Sequence, residues 1–281
     1  KEIAVFAHRL TAIAERLEAI PYLAKFSGAT GTFSAHVVAE PAVNWPVVSK
    51  TFVEGLGLSW NPLTTQIESH DALAELLTTL AHGNRILHNL CTDIWTYISL
   101  GYLTQIPEPG ATGSSTMPHK INPIRFENAE ANLEISSALL DSLASTLVTT
   151  RLQRDLTDSS TLRNLGVAFG HSLLALTNIH KGLGDIALNS AALAADLAAN
   201  EEVLAEAIQM VIRAEIVRGS SSLQDPYAVV KELTRGHKVG AEELSAFIAK
   251  LDISETAKKS LRDLSPQTYI GLASSLVDYL D

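Results

Sequence analysis

Long segments with apolar residues spaced three and four apart constrain the fold of this 281-residue chain more than any other feature. The longest begins near Asp71, an expected helix cap, and continues to Ile98. Its apolar members are Leu73, Leu76, Leu77, Leu80, Leu87, Leu90, Ile94 and Ile98. Residues with this spacing share one face of an α-helix, so the segment predicts an amphipathic helix of about thirty residues.

Similar stripes predict two helices in the first sixty residues. One starts at Ile3 and ends at Pro21, which cannot continue a helix. The other is short, begins near Asn44 and Pro46, and stops near Gly55. The amino-terminal part of the chain is therefore predicted to be helical as well.

Two further long helices are predicted in the middle of the chain. One has Pro123 in its first turn and continues to Leu147, and the other starts near Ser159 and ends near Gly182. Long helices joined by short breaks are typical of a bundle. We therefore predict an all-α fold in which residues 1–182 form a central long-helix bundle domain that carries the glycine-led loop described below.

Beyond residue 183 the helical segments become shorter. Breaks in the pattern at Gly219, Pro226, Gly240 and Pro266 predict a smaller C-terminal helical domain over residues 183–281. At the other end, Lys1 opens directly into a helical pattern without an initiating methionine. We interpret this as a truncated or processed chain whose N-terminal domain is absent.

Composition argues against several classes of partner and site. With 21 Lys and Arg against 31 Asp and Glu, the formal charge of −10 disfavours nucleic acid and anionic membranes as partners. The one cysteine, Cys91, lies in an apolar helical stretch, which indicates a buried thiol in a cytoplasmic protein. The nine histidines show no metal-ligand spacing, so we expect no metal.

A loop with the sequence GSSTMPHKINP precedes the helix at Pro123. A serine hydroxyl such as Ser114 acts as base or nucleophile only where its anion is stabilised, and Lys120 with the loop amides could do this. Asn122 could cap the helix or present its amide to a carboxylate. The serines alone are better explained by a turn and a helix cap, but the full eleven-residue string is more specific and suggests an anion site.

A second polar cluster, RLQRDLTDSSTLRN, spans residues 151–164. Its Arg154 precedes hydroxyls at a predicted helix start, and Arg163 follows one turn inside. Serine hydroxyls, first-turn amides and a guanidinium together suit phosphate oxygens, and Asp155 and Asp158 could orient the arginines. The alternative is a helix cap with surface ion pairs, which stabilise little.

These strings carry a family resemblance. GSSTMPHKINP matches every specified position of the fumarase/aspartase superfamily signature, Gly-Ser-Ser-x-Met-Pro-x-Lys-x-Asn. The MPHK variant followed by NPIRFENAEANL, with TTQIESHD and RLQRDLTDSSTLRNLG, resembles the longer bacterial type of the adenylosuccinate lyase family. This resemblance covers essentially the whole chain. It implies β-elimination of fumarate from adenylosuccinate and from succinyl-aminoimidazole carboxamide ribotide, without a cofactor, in a homotetramer whose subunits share active sites.

The resemblance also implies roles for the residues of the signature loop. Ser114 is the general base that removes the proton β to the departing nitrogen. Lys120, Asn122 and the amide and hydroxyl of Ser115 hold the carboxylate on which negative charge develops. Glu127 polarises the catalytic histidine.

Further matches imply substrate contacts. Gln66 contacts the succinyl part and Asn128 lies near the nucleotide. The phosphate and ribose contacts are Arg154, Ser159, Ser160 and Arg163.

Two features depart from the family pattern. The general-acid histidine belongs to a family string of which this sequence contains only the last two residues, Lys1 and Glu2, so we expect it upstream and expect the chain alone to have little or no activity. Arg125 stands where a neutral or acidic residue is expected, next to Glu127. Arg235, His237 and Lys238 receive no role from the sequence.

Two alternatives remain open at this stage. A superfamily lyase of the argininosuccinate or aspartate type would share the signature loop, but the phosphate cluster argues against substrates that lack phosphate. A non-catalytic helical scaffold would share the fold, and intact Ser114 and Lys120 argue against it.

Overall fold

The computed structural model describes residues 1–106, 122–234 and 239–280, with residues 232–234 described by their backbone alone. The chain forms two compact units. The bundle unit contains Glu2–Leu100 and Gln105–Ala187, and the C-terminal unit contains Leu188–Asp281 with Gly101–Thr104 and Lys1. Helices dominate the described residues, which confirms the predicted all-α class.

The bundle unit is built around three long helices. Its helices are α1 (Glu2–Ala19), α2 (Ser34–Ala39), α3 (Trp45–Gly55), α4 (Asp71–Ser99), α5 (Ile124–Leu147), α6 (Thr157–Thr161), a 3₁₀ helix (Leu162–Asn164) and α7 (Leu165–Gly184). Helix α5 packs against both α4 and α7, and α1 packs on α4. The bounds of α1, α3, α4 and α5 confirm the helices predicted from the apolar stripes.

The core of the bundle unit contains mostly leucine and alanine. One cluster of buried apolar residues comprises Leu77, Ala81, Leu140, Leu143, Ala144, Leu147 and Ala168. Phe126 is buried in α5, and a Cβ atom placed on Gly182 would lie 2.9 Å from its ring. Glycine at this position therefore allows α7 to approach α5 closely.

A polar cluster interrupts this apolar core. Asn84, Ser136 and Ser172, from α4, α5 and α7, are all buried and hydrogen-bond to one another. The Asn84 Nδ2 atom donates to Ser136 Oγ at 3.0 Å and to Ser172 Oγ at 2.9 Å, and Ser136 Oγ donates to the Ala168 carbonyl at 2.8 Å. We call these three side chains the Asn84 cluster. The hydrogen bonds within the cluster satisfy its polar groups and connect the three long helices.

The structure corrects three predicted helix starts. Helix α4 begins at Asp71 itself, and His70 occupies the N-cap position, so the predicted capping role of Asp71 is wrong. Pro123 is the N-cap of α5, which places Asn122 before the cap. The predicted fourth helix is divided, because a 3₁₀ turn over Leu162–Asn164 separates α6 from α7.

Short strands were not predicted. In the described residues, β1 (Leu23–Ala24) and β2 (Ser59–Trp60) pair in parallel, and β3 (Leu103–Gln105) pairs with β4 (Ile186–Leu188). Segments of two or three residues are too short to show the alternation by which strands are predicted. They add a little local pairing to an otherwise helical fold.

The C-terminal unit has shorter helices, as the sequence predicts. They are α8 (Ser190–Ala198), a 3₁₀ helix (Glu201–Leu204), α9 (Ala205–Val217), α10 (Pro226–Thr234), α11 (Ala241–Lys250), α12 (Glu255–Arg262) and a 3₁₀ helix (Ser275–Leu280). Their core includes Leu204, Ile208, Ile212, Leu244, Ile248 and Leu261. No helix in the described part of the chain is long and apolar enough to span a bilayer.

Candidate active site

Several of the predicted site residues lie outside the part of the chain that the structure describes. Ser114, Ser115 and Lys120 belong to this group, as do Arg235, His237 and Lys238, which had no assigned role. Asn122 is described and is exposed just before α5. The geometry of the site therefore rests on the residues of segments 64–71 and 150–163 and on the first turn of α5.

Arg154 is held by a buried carboxylate. Its Nη2 atom donates to Asp158 Oδ2 at 3.1 Å, and its Nε atom donates to Oδ1 at 3.4 Å. The Asp158 side chain is 7% exposed and that of Arg154 is 27% exposed. A guanidinium fixed on its inner side by a buried partner keeps its remaining N–H groups for an external anion. Asp158 thus orients Arg154, as the sequence predicts.

The neighbouring pair is more exposed. Arg151 Nη1 donates to Asp155 Oδ2 at 2.8 Å, and the Arg151 side chain is 81% exposed. Hydrogen bonds from Thr157 lower the pKa of Asp155, with a further contribution from Arg151. An ion pair with an exposed partner contributes little to stability. Arg151 is therefore a useful comparison for Arg154, whose partner is buried.

The predicted hydroxyls follow Arg154 along the chain. Ser159, half-buried, and Ser160, exposed, lie in the five-residue helix α6, and Arg163 is exposed in the 3₁₀ turn that follows. Arg154, Ser159, Ser160 and Arg163 thus lie within one short segment of the chain. Because α6 is so short, the guanidinium groups and hydroxyls are more relevant than a helix dipole.

The segment that carries Gln66 lies beside this cluster. The Gln66 backbone N–H donates to the Gln153 carbonyl at 3.4 Å, and the Gln66 side chain is exposed. Gly31 has a φ of 70°, and a Cβ atom there would lie 2.1 Å from the Thr64 carbonyl oxygen. The chain around Gly31 therefore packs directly against the segment that carries Gln66.

Glu127 and Asn128 lie in the first turns of α5. Glu127 Oε1 accepts a hydrogen bond from Trp95 Nε1 at 3.2 Å. Asn128 Oδ1 accepts from Asn132 Nδ2 at 3.1 Å and from Asn178 Nδ2 at 2.9 Å. These contacts orient both side chains on the scaffold of α4, α5 and α7.

The described site residues fall into two groups at opposite ends of α5. Asn128 is 19 residues before Leu147, the last residue of α5, and at 1.5 Å per residue this is about 28 Å. The residues from Arg154 onward follow the far end of the helix. The structure therefore does not bring Asn128 and Arg154 into one site within a single chain.

One functional candidate was missed by the sequence reading. His70 lies between Glu68 and Asp158, with its Nδ1 atom 3.9 Å from Glu68 Oε2 and its Nε2 atom 4.0 Å from Asp158 Oδ2. It adopts a left-handed backbone with φ 63°, which is uncommon for a residue other than glycine. The string ESHD before a helix was the available signal, but neither the backbone nor the contact with Asp158 can be read from it.

Among the described residues, no three or more His, Cys, Asp or Glu side chains are grouped so that they could hold a metal ion.

Arg125, which departs from the family pattern, donates from Nε to Asp185 Oδ2 at 2.6 Å. Arg125 therefore pairs with Asp185, the residue at the C-cap of α7.

Comparison with known proteins gives two matching family models. The model described as "Lyase" matches residues 1–134, and the model described as "Adenylosuccinate lyase C-terminal" matches residues 150–270. Adenylosuccinate lyase of Legionella pneumophila (strain Corby) is 48% identical over 277 residues, which are 99% of this chain and 59% of that protein. Adenylosuccinate lyase of Escherichia coli (strain K12) is 45% identical over 280 residues, 100% of this chain and 60% of that protein. The chain thus spans about 60% of the length of these relatives.

A solved structure gives a similar fold. The fumarate lyase from Mesorhizobium sp. BNC1 superposes with a TM-score of 0.69 at 21% identity, covering 99% of this chain and 62% of that one. At this identity the likeness concerns the fold, and it agrees with the long-helix bundle described above.

Proposed function

Because the chain belongs to the adenylosuccinate lyase family, we propose that it is part of a carbon–nitrogen lyase of purine biosynthesis. The enzyme would release fumarate from adenylosuccinate, giving AMP, and from succinyl-aminoimidazole carboxamide ribotide, giving the carboxamide ribotide. The observation that carries the proposal is the Arg154 guanidinium, fixed by buried Asp158 beside the segment that bears Gln66. It supports a substrate that combines an anionic phosphate with a succinyl group.

The elimination needs a base and a stable place for the charge that develops. We propose Ser114 as the base that takes the proton β to the departing nitrogen, leaving a carbanion stabilised as an aci-carboxylate. Ser115, Lys120 and Asn122 would hold that carboxylate, because donors placed where charge develops lower the barrier most. Glu127, already oriented by Trp95, would polarise the catalytic histidine.

The remaining contacts would bind the nucleotide. Arg154, Ser159, Ser160 and Arg163 would contact the phosphate and ribose, Gln66 the succinyl part, and Asn128 the nucleotide. The fixed guanidinium of Arg154 suits this role because an arginine with a buried carboxylate partner loses little side-chain entropy on binding. A cytoplasmic location is part of the same proposal.

We further propose a homotetramer whose chains share active sites. Two observations support it. The site residues lie at opposite ends of α5, about 28 Å apart, and apolar side chains on the outer faces of α5 and α7 are exposed. These include Ile124, Ile135, Val167, Leu173 and Leu174. A second chain placed along these faces would cover them and could bring Asn128 of one subunit to Arg154 of another.

The proposed activity is tested on the complete product of the gene by following fumarate release from adenylosuccinate. Ser114→Ala should abolish turnover. Arg154→Met should raise KM by about tenfold or more, the loss of one charge-assisted hydrogen bond. The matched control is Arg151→Met, whose exposed guanidinium should matter little. Full activity of Ser114→Ala would reject the base, and equal KM values for the two arginine variants would reject the phosphate role.

Shared sites are tested by mixing variants. Asn128→Ala and Arg154→Met, each impaired alone, should regain activity after subunit exchange, because about a quarter of sites in an equal mixture receive both native residues. Activity that stays at the mean of the two separate variants would show that each chain builds its own site. Sedimentation of the same samples gives the number of subunits.

A further inference from the structure

A partly buried histidine lies between the segment that carries Gln66 and the segment that carries Arg154. His70 directly precedes α4 and is four residues after Gln66. Its side chain is 18% exposed, and the Nε2 atom is buried with no hydrogen-bond partner among the described residues. A buried polar atom without a partner destabilises a protein, so its presence calls for another explanation.

The carboxylate that fixes Arg154 lies close to this atom. Asp158 Oδ2 lies 4.0 Å from His70 Nε2 and accepts a hydrogen bond from Arg154 Nη2 at 3.1 Å. The distance of 4.0 Å is too long for a hydrogen bond, so the two groups are neighbours without a direct bond. The same oxygen of Asp158 is therefore close to both a guanidinium and an imidazole.

The backbone around His70 holds the ring in this place. Its N–H donates to Glu68 Oε2 at 2.7 Å, and its carbonyl accepts from the Ala74 N–H at 2.8 Å. Glu68 is itself fixed by Asn61, whose Nδ2 atom donates to Oε1 at 3.0 Å. These bonds stabilise the left-handed conformation, which costs an L-residue roughly 1–2 kcal/mol. A strained conformation maintained by several contacts indicates that the position of the side chain matters.

We infer that His70 is a positioning residue that sets the Asp158–Arg154 pair for the substrate phosphate. This inference rests on the proposed function, because Arg154 is the group through which His70 acts. The polar Nε2 atom of His70, 4.0 Å from Asp158 Oδ2, limits the movement of that carboxylate, and the carboxylate in turn fixes the direction of the guanidinium. The effect of His70 should therefore fall on binding of the nucleotide and not on the proton-transfer step.

The test uses the complete gene product and two side chains in place of His70. His70→Met fills the space without an N–H donor, whereas His70→Gln keeps a donor near the position of Nε2. We expect His70→Met to raise KM for adenylosuccinate and the dissociation constant of AMP by about tenfold, with kcat within about twofold. His70→Gln should stay within about threefold of the native protein. His82→Met, an exposed histidine on α4, is the matched control.

A double-mutant cycle separates positioning from a general loss of structure. In an Arg154→Met background, His70→Met should change AMP affinity less than about twofold, because the group through which it acts is gone. If His70→Met does not fold, His70→Asn replaces it, since asparagine tolerates the left-handed backbone and its amide is too short to reach Asp158. Equal effects of the histidine change in both backgrounds, or equal loss in the Gln and Met variants, would overturn the inference.

The same cycle distinguishes the inference from the proposed function. If Arg154→Met leaves AMP affinity unchanged, the phosphate role of Arg154 fails, and the role of His70 fails with it. If Arg154→Met weakens AMP binding and His70→Met does not, only the inference about His70 is rejected.

Discussion

Asn84 should contribute more to the stability of the bundle unit than any exposed polar residue of α4, because it joins the Asn84 cluster. Replacing Asn84 with alanine removes three hydrogen bonds. Two run from Asn84 Nδ2 to Ser136 and Ser172, and the third runs from Ser172 Oγ to Asn84 Oδ1 at 3.1 Å. The two serine hydroxyls keep a contact of 2.7 Å with each other, and Ser136 keeps the Ala168 carbonyl. The variant therefore loses bonds without leaving a hydroxyl entirely unpaired.

The expected magnitude follows from these bonds and from the space that the carboxamide leaves. Each neutral hydrogen bond contributes about 1 kcal/mol net, and part of that loss is offset by the remaining serine contacts. Removing a buried side chain of this size adds a cavity cost. Together they give a destabilisation of about 2–4 kcal/mol, which at about 2 °C per kcal/mol for a chain of this size lowers Tm by roughly 4–8 °C.

The assay is thermal unfolding of the complete gene product by circular dichroism at one protein concentration. Asn89→Ala is the control, because Asn89 is exposed on the same helix. Its Tm should change by no more than about 2 °C. A triple variant with Asn84→Leu, Ser136→Ala and Ser172→Ala should be nearer to native than Asn84→Ala alone, because all partners are removed together. If Asn84→Ala unfolds at the same temperature as Asn89→Ala, the cluster has no special role in stability.

Three further predictions concern packing, acid stability and the thiol. Gly182→Ala should destabilise the protein by about 1–3 kcal/mol, because its Cβ would lie 2.9 Å from the Phe126 ring, whereas Gly170→Ala meets nothing within 4 Å and should not lower Tm. Hydrogen bonds from Ser254, and then the Arg218 guanidinium, lower the pKa of Glu215. The stabilisation from ionised Glu215 should therefore be complete above about pH 4.3 and should be lost as the pH falls through the lower pKa of the folded state. Glu215→Gln should make Tm depend less on pH on the acid side. The control Glu255→Gln, at an exposed position, should leave that dependence unchanged. Burial, and then Glu130, raise the pKa of the Cys91 thiol to about 12. Iodoacetamide should label Cys91 in urea and leave it unmodified in the folded protein at pH 8, and rapid labelling of the folded protein would contradict its burial.

The sequence predicted the long helices because apolar spacing directly encodes the buried face of a helix. The stripe from Leu73 to Ile98 lies within α4, which ends at Ser99, and Leu77, Leu87, Leu90 and Ile94 of that stripe are buried. Helix ends were less predictable. Asp71 has the side chain of a cap, but the left-handed conformation of His70 makes His70 the cap and starts the helix one residue earlier than expected. That conformation depends on the contact with Glu68.

The candidate site was predictable where residues are close in sequence. Arg154 and Asp158 are four apart, so their contact follows from local geometry. The approach of His70 to Asp158 was not predictable, because it joins segments 88 residues apart and depends on how α4 packs beside α5. The separation of Asn128 from Arg154 follows from the length of α5, which ends at Leu147. Motif strings give residue types, but the length of the intervening helix determines which of them can share a site.

Along α5, the Asn84 cluster is also separate from Asn128, the residue proposed to contact the nucleotide. Ser136 lies eight residues, about 12 Å, beyond Asn128 on the same helix. Asn128 accepts hydrogen bonds from Asn132 and Asn178. Among the described residues, no hydrogen bond links Asn132 or Asn178 to the Asn84 cluster. Asn84→Ala should therefore lower Tm while KM at a temperature well below unfolding stays within about twofold of native, since variants at this distance are usually independent. A large rise in KM would mean that the three helices transmit the change in the core to the site. It would contradict the independence of stability and binding along α5.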